Sequence, residues 1–154
     1  METMGSLMDK YSIARNRHLS MTSERADIPQ ELIEKVEQQM KDLQDEIDEY
    51  IYKAINGDIR LEEPKFKIYK GEKPSANKYE TMGAAMSKLF LTNWELWCLE
   101  DQRREKDRTD KEIRLICDDV ATKNRIRNDC MDDINRKFQE MINDKNRKGS
   151  GLDS

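Results

Sequence analysis

The side chains best suited to hold a small ligand fall in two stretches: Asn93, Trp97 and Glu100 in "LFLTNWELWCLED", and Asn124, Arg127 and Asp133 in "ATKNRIRNDCMDDIN". An indole can cover a ring or an apolar group. A guanidinium can grip an anion through paired N–H donors, and amides supply donors and acceptors together. These six are the candidate ligand-binding residues, and no residue is assigned a catalytic role. The asparagines also have a structural use. An amide pair in an apolar helical seam fixes which residues face each other, because a buried amide without a partner costs about 1–3 kcal/mol.

Catalytic sets are poorly represented. His18 is the single histidine, so a di-iron bundle with two Glu-x-x-His motifs is excluded, and a Cys–His nucleophile would need a distant thiol. The glycines at 71, 83, 149 and 151 lack the spacing of a phosphate loop. Three acid pairs, Glu100 with Asp101, Asp118 with Asp119 and Asp132 with Asp133, would have to converge to chelate magnesium. Adjacent helical residues diverge by about 100°, so no pair is a ready chelate. Size and class invite comparison with all-helical nucleotide pyrophosphohydrolases, yet their motif of two adjacent glutamates followed by a third is missing. No metal and no cofactor is expected.

Composition narrows the partners. Charged residues make up 39% of the 154, against roughly 25% in an ordinary domain. The hydrophobic fraction is 36%, a balance that suits long helices with narrow apolar stripes. With 28 Lys plus Arg against 32 Asp plus Glu, the formal charge is -4 and no stretch is basic enough to track a phosphate backbone. Nucleic acid is not an expected partner. No apolar run approaches the roughly 20 residues that span a bilayer, and no charged region leads into a hydrophobic one at the N-terminus. A cytoplasmic protein without membrane association is expected, with Cys98, Cys117 and Cys130 as reduced core thiols.

Apolar spacing defines the elements that must position the candidate residues. Leu7, Tyr11, Ala14, His18 and Met21 mark one side of a helix over about 5–23. Val36, Met40, Leu43, Ile47, Tyr50 and Ala54 mark a second over about 28–56, with Asp27 as cap, Pro29 in the first turn and Gly57 as the stop. Residues 57–78 carry two prolines and a short alternation around Phe66 and Ile68, which reads as a loose crossover lying against the bundle, or as a small β-hairpin or an extended arm. A third helix spans about 79–106. A fourth spans about 110–143 and opens on a capping box, Thr109 with Glu112. The tail, 144–154, loses periodicity and reads as disordered. The expected fold is all-α: an antiparallel bundle of four helices in one domain, 1–143.

If the last two helices form an antiparallel hairpin, facing residues have numbers summing to about 216. That register sets Trp97 beside Asp119 and Val120, Cys98 beside Cys117, and Asn93 beside Lys123 and Asn124. Arg127 then lies near Leu89 and Phe90.

Part of this hairpin resembles a bacterial protein family of unknown function. Its members show an Asn followed by Leu-Trp, Glu-Asp and Arg, then a second helix with Asn, Arg, Asn-Asp and a final acid. The corresponding residues are Asn93, Leu96, Trp97, Glu100, Asp101, Arg104, Asn124, Arg127, Asn128, Asp129 and Asp133. The resemblance covers roughly a third of the chain. It implies an accessory role, because some members are associated with glycosyltransferases or cell-surface polysaccharide genes, and it brings no catalytic mechanism.

The functional expectation is a non-enzymatic helical interaction or accessory module. A homodimer through the 3.5-residue seam of the second helix would supply burial that the low apolar fraction withholds. The alternative is a small-molecule or nucleotide-binding enzyme using the polar residues of the 79–143 hairpin.

Overall fold

The computed structural model describes residues 2–23, 27–61 and 78–151, and it places them in four helices. These are α1 (Met4–Ser23), α2 (Gln30–Ile55), α3 (Met82–Arg104) and α4 (Asp110–Gly151). The all-α, four-helix reading stands. The β-hairpin or arm expected within 57–78 falls largely on 62–77, which lie outside the described residues.

Local chemistry explains most boundaries. Thr81 caps α3 by accepting from the Ala84 amide at 3.0 Å. Thr109 accepts from the Glu112 amide at 3.1 Å, and its hydroxyl donates back to the Glu112 carboxylate. The capping box is thus half formed, since Glu112 meets a hydroxyl and Arg108 instead of a backbone amide. Gly57 takes φ +75°, the left-handed conformation that ends α2. Two expectations fail at helix ends. Pro29, not Asp27, occupies the N-cap position of α2, with its carbonyl accepting from Leu32 at 3.0 Å and no side-chain cap. And α4 continues to Gly151 through residues assigned to a disordered tail, because extending an existing helix gains one backbone bond per residue fixed and needs no tertiary partner.

α1 packs against all three other helices, whereas α2 rests chiefly on α1. The approach of His18 Nε2 to the Glu37 carboxylate at 3.9 Å and a hydrogen bond from Gln44 to Tyr11 show α1 and α2 antiparallel. Val36, Leu43, Ile47 and Ala54 are buried in that seam. The stripe expected to pair two copies is therefore occupied by α1 of the same chain. α3 and α4 form the antiparallel hairpin, pinned by Lys123 on Glu95, whose numbers sum two above the register expected.

The core runs between these pairs: Met4 and Leu7 of α1, Ile47 and Ala54 of α2, Ala85 and Leu89 of α3, and Cys130, Ile134, Phe138 and Ile142 of α4. Each fully buried Leu or Ile contributes about 1.5–3 kcal/mol. Gly5 allows α1 to approach α4 closely. A Cβ there would stand 2.5 Å from the Met131 carbonyl oxygen, and the Gly5 amide donates to Asn135 Oδ1 at 2.7 Å.

Candidate functional site

α1 is buried on two sides, and the second side carries the polar residues of the site. Leu7 and Ala14 follow the apolar stripe, while Gly5, Asp9, Ser12 and Asn16 recur at helical spacing on the face toward α3 and α4. Asp9 and Ser12 are both buried. Polar residues at such positions need partners from the neighbouring helices.

Asp9 finds two. Arg127 of α4 donates Nε to Oδ1 at 2.8 Å and Nη2 to Oδ2 at 2.5 Å, the paired geometry in which a guanidinium best fits a carboxylate. Asn93 of α3 donates Nδ2 to Asp9 Oδ1 at 2.9 Å and to Ser12 Oγ at 3.1 Å. One carboxylate thereby ties three helices together. Donation to Asp9 holds the Arg127 guanidinium above its ordinary pKa, against the opposing effect of burial.

Next to this junction lies a cavity of about 220 Å³ between α1, α3 and Arg127 of α4. Ile13 and Asn16 line it from α1, and Asn93, Leu96, Trp97, Glu100, Asp101 and Arg104 line it from α3. The α3 residues recur at helical spacing, so a single face of that helix presents an amide, an indole, carboxylates and a guanidinium in turn. Glu100 is ion-paired with Arg103 at 2.7 Å. Among the described residues, Arg104 has no ion pair. Asn16 Nδ2 is buried and has no hydrogen-bond partner.

Of the six candidate residues, the structure gathers four, Asn93, Trp97, Glu100 and Arg127, around this cavity. It does not bring Asn124 or Asp133 there. The expected pairing of Asn93 with Asn124 is replaced by donation to α1, because Asp9 offers a charged acceptor where Asn124 could offer only a neutral one. Asp133 lies further along α4, fully buried, where it accepts from the Tyr79 amide at 3.1 Å and pairs with Arg136. Beside it Asp129 accepts from Lys78 at 2.7 Å, and the Cys130 thiol contacts the Tyr79 hydroxyl. This second group anchors the approach to α3. Burial pushes both the Cys130 thiol and the Tyr79 hydroxyl upward. Of the three cysteines expected in the core, Cys130 is buried there, Cys98 is half-buried and Cys117 is exposed.

Among the described residues, no three His, Cys, Asp or Glu side chains converge as a metal cage, and no helix is long and apolar enough to cross a membrane. Seven of the eleven residues that carry the family resemblance line the cavity. Asp9, Ser12, Ile13 and Asn16 escaped the sequence reading. The signal for Asp9, Ser12 and Asn16 was a second helical period of small and polar residues in α1, out of phase with the apolar one. Comparison of the chain with family models, curated proteins and solved structures finds no match.

Proposed function

We propose that this protein is a non-enzymatic helical accessory module that takes a small polar ligand into the cavity between α1 and α3, beside Arg127. The observation that carries this reading is Asn16, whose amide nitrogen is buried at the cavity without a hydrogen-bond partner. An unsatisfied buried donor costs about 1–3 kcal/mol, and a bound acceptor relieves that cost. Folded proteins keep few such groups, so one facing a cavity beside an indole and a guanidinium supports a binding role.

The two readings of the asparagines divide between residues. Asn93 is structural, since both donors on its amide are engaged by α1. Asn16, Trp97 and Arg104 are left for recognition. Binding is favoured over turnover because the lining supplies donors, an aromatic face and carboxylates, with no thiol or imidazole among the lining residues.

A thermal-shift screen tests the proposal, using nucleotides, nucleotide-sugars, small organic acids, amines and divalent cations. At least one small organic compound should raise the melting temperature, and Asn16→Leu should abolish that shift. No shift with any compound, or an identical shift in Asn16→Leu, refutes it.

A further inference from the structure

We infer that the ligand is a small organic monoanion with an apolar body, such as an arylalkyl carboxylate; this rests on the binding role proposed for the cavity. Three observations lead to it.

The first is the excess of donors. Asn16 Nδ2 is buried and lacks an acceptor. Arg127 uses Nε and Nη2 on Asp9, which leaves Nη1 outside that pair. Arg104 has no ion pair among the described residues, because the neighbouring Glu100 is taken by Arg103. A ligand rich in acceptors suits this surplus, and a carboxylate is the smallest acceptor group that also answers a guanidinium charge.

The second is the charge balance, which limits that anion to one charge. Asp9 offsets Arg127, and Arg103 offsets Glu100. Arg104 and Asp101 then remain on the lining with opposite signs. A monoanion pairs with Arg104 at modest repulsion from Asp101. A dianion brings a second charge with no unpaired cation left to offset it, since Asp9 already neutralises Arg127.

The third is the apolar surface beside the donors. Ile13 is 40% exposed at the cavity edge, and Leu96 and Trp97 are half-buried. A flat or branched hydrocarbon body covers these side chains while its carboxylate meets Asn16. The volume, about 220 Å³, lies below the roughly 300–1,000 Å³ of sites for drug-sized molecules, so the body is no larger than one ring and a short chain.

The test is a matched set of three probes at constant ionic strength: phenylacetate, its neutral amide 2-phenylacetamide, and phenyl phosphate, which is dianionic at about pH 8. Each is titrated into the full chain by tryptophan fluorescence. Phenylacetate should saturate and bind at least about tenfold more tightly than either analogue, the scale of one charge-assisted hydrogen bond. Arg104→Gln, at an exposed position, should weaken phenylacetate about tenfold and leave the melting temperature unchanged. Equal or tighter binding of the amide or the phosphate overturns the monoanion assignment, as does phenylacetate binding that Arg104→Gln does not alter. If the amide alone binds, the assignment falls and the ligand-binding role stands. If none of the three binds and the wider screen yields nothing, both fall.

Discussion

Arg127 of α4 grips Asp9 of α1 through two nitrogens, and the two partners differ in burial: the Asp9 side chain is 8% exposed, that of Arg127 31%. The consequence is an asymmetric response to mutation. Arg127→Ala strands a buried carboxylate, whereas Asp9→Ala leaves a guanidinium that water can reach. Breaking a fully buried pair costs about 3–5 kcal/mol. Partial exposure of Arg127 lowers the expected loss to about 2–3 kcal/mol for Arg127→Ala. Asp9→Ala should cost less, about 1–2 kcal/mol, because Asn93 keeps Ser12 as an acceptor. Urea unfolding of both single variants and the double variant checks the order, and the double should be less destabilised than the sum.

Gly5 and Gly83 form a matched pair with opposite outcomes. Both lie in helices, where Ala ordinarily stabilises by roughly 0.5–1 kcal/mol. At Gly83 the nearest atom to an added Cβ is Thr81 Oγ1 at 3.9 Å, so Gly83→Ala should stabilise by about 0.5 kcal/mol. At Gly5 the new Cβ meets the backbone of Met131, and α1 must move away from α4. Gly5→Ala should destabilise by about 1–3 kcal/mol in the same unfolding assay.

The helices were legible because each carries an apolar stripe at helical period, and the α3–α4 register followed from a short turn and equal rise per residue. Half of the site was legible for the same reason, since Asn93, Trp97 and Glu100 share one face of α3. The other half was not. Asn93 meets Asp9 across 84 residues of chain, and periodicity within a helix cannot tell which distant helix fills its groove. The α2 stripe shows the converse: its spacing announced a partner helix, and only the fold reveals that the partner is α1 of the same chain.

Asn16 should trade stability for binding. Replacing it with Leu removes an unpartnered buried donor while keeping similar volume, so the unliganded protein should gain about 1 kcal/mol. Denaturant unfolding should show a higher midpoint at unchanged slope. A residue serving only the fold would lower the midpoint when replaced.

Cys130 should resist alkylation in the native state, since it is buried with its thiol pushed upward, first by burial. Iodoacetamide should label exposed Cys117 first and reach Cys130 only on unfolding. The same shift sets a pH dependence. The unfolded thiol ionises at its ordinary value, about 8.5, while the native thiol keeps its proton to higher pH. The contribution of Cys130 is therefore fully present below that value and is lost as pH rises above it. Cys130→Ala should flatten the decline in stability on the alkaline side.

The most direct measurement is a site-resolved NMR titration with phenylacetate, following the side-chain amide of Asn16 and the indole N–H groups of Trp94 and Trp97. A ligand in the cavity should shift the Asn16 amide and the Trp97 indole along one saturation curve, with Trp94, which does not line the cavity, shifting least. Saturable binding that leaves the Asn16 and Trp97 signals in place would contradict a binding site between α1 and α3.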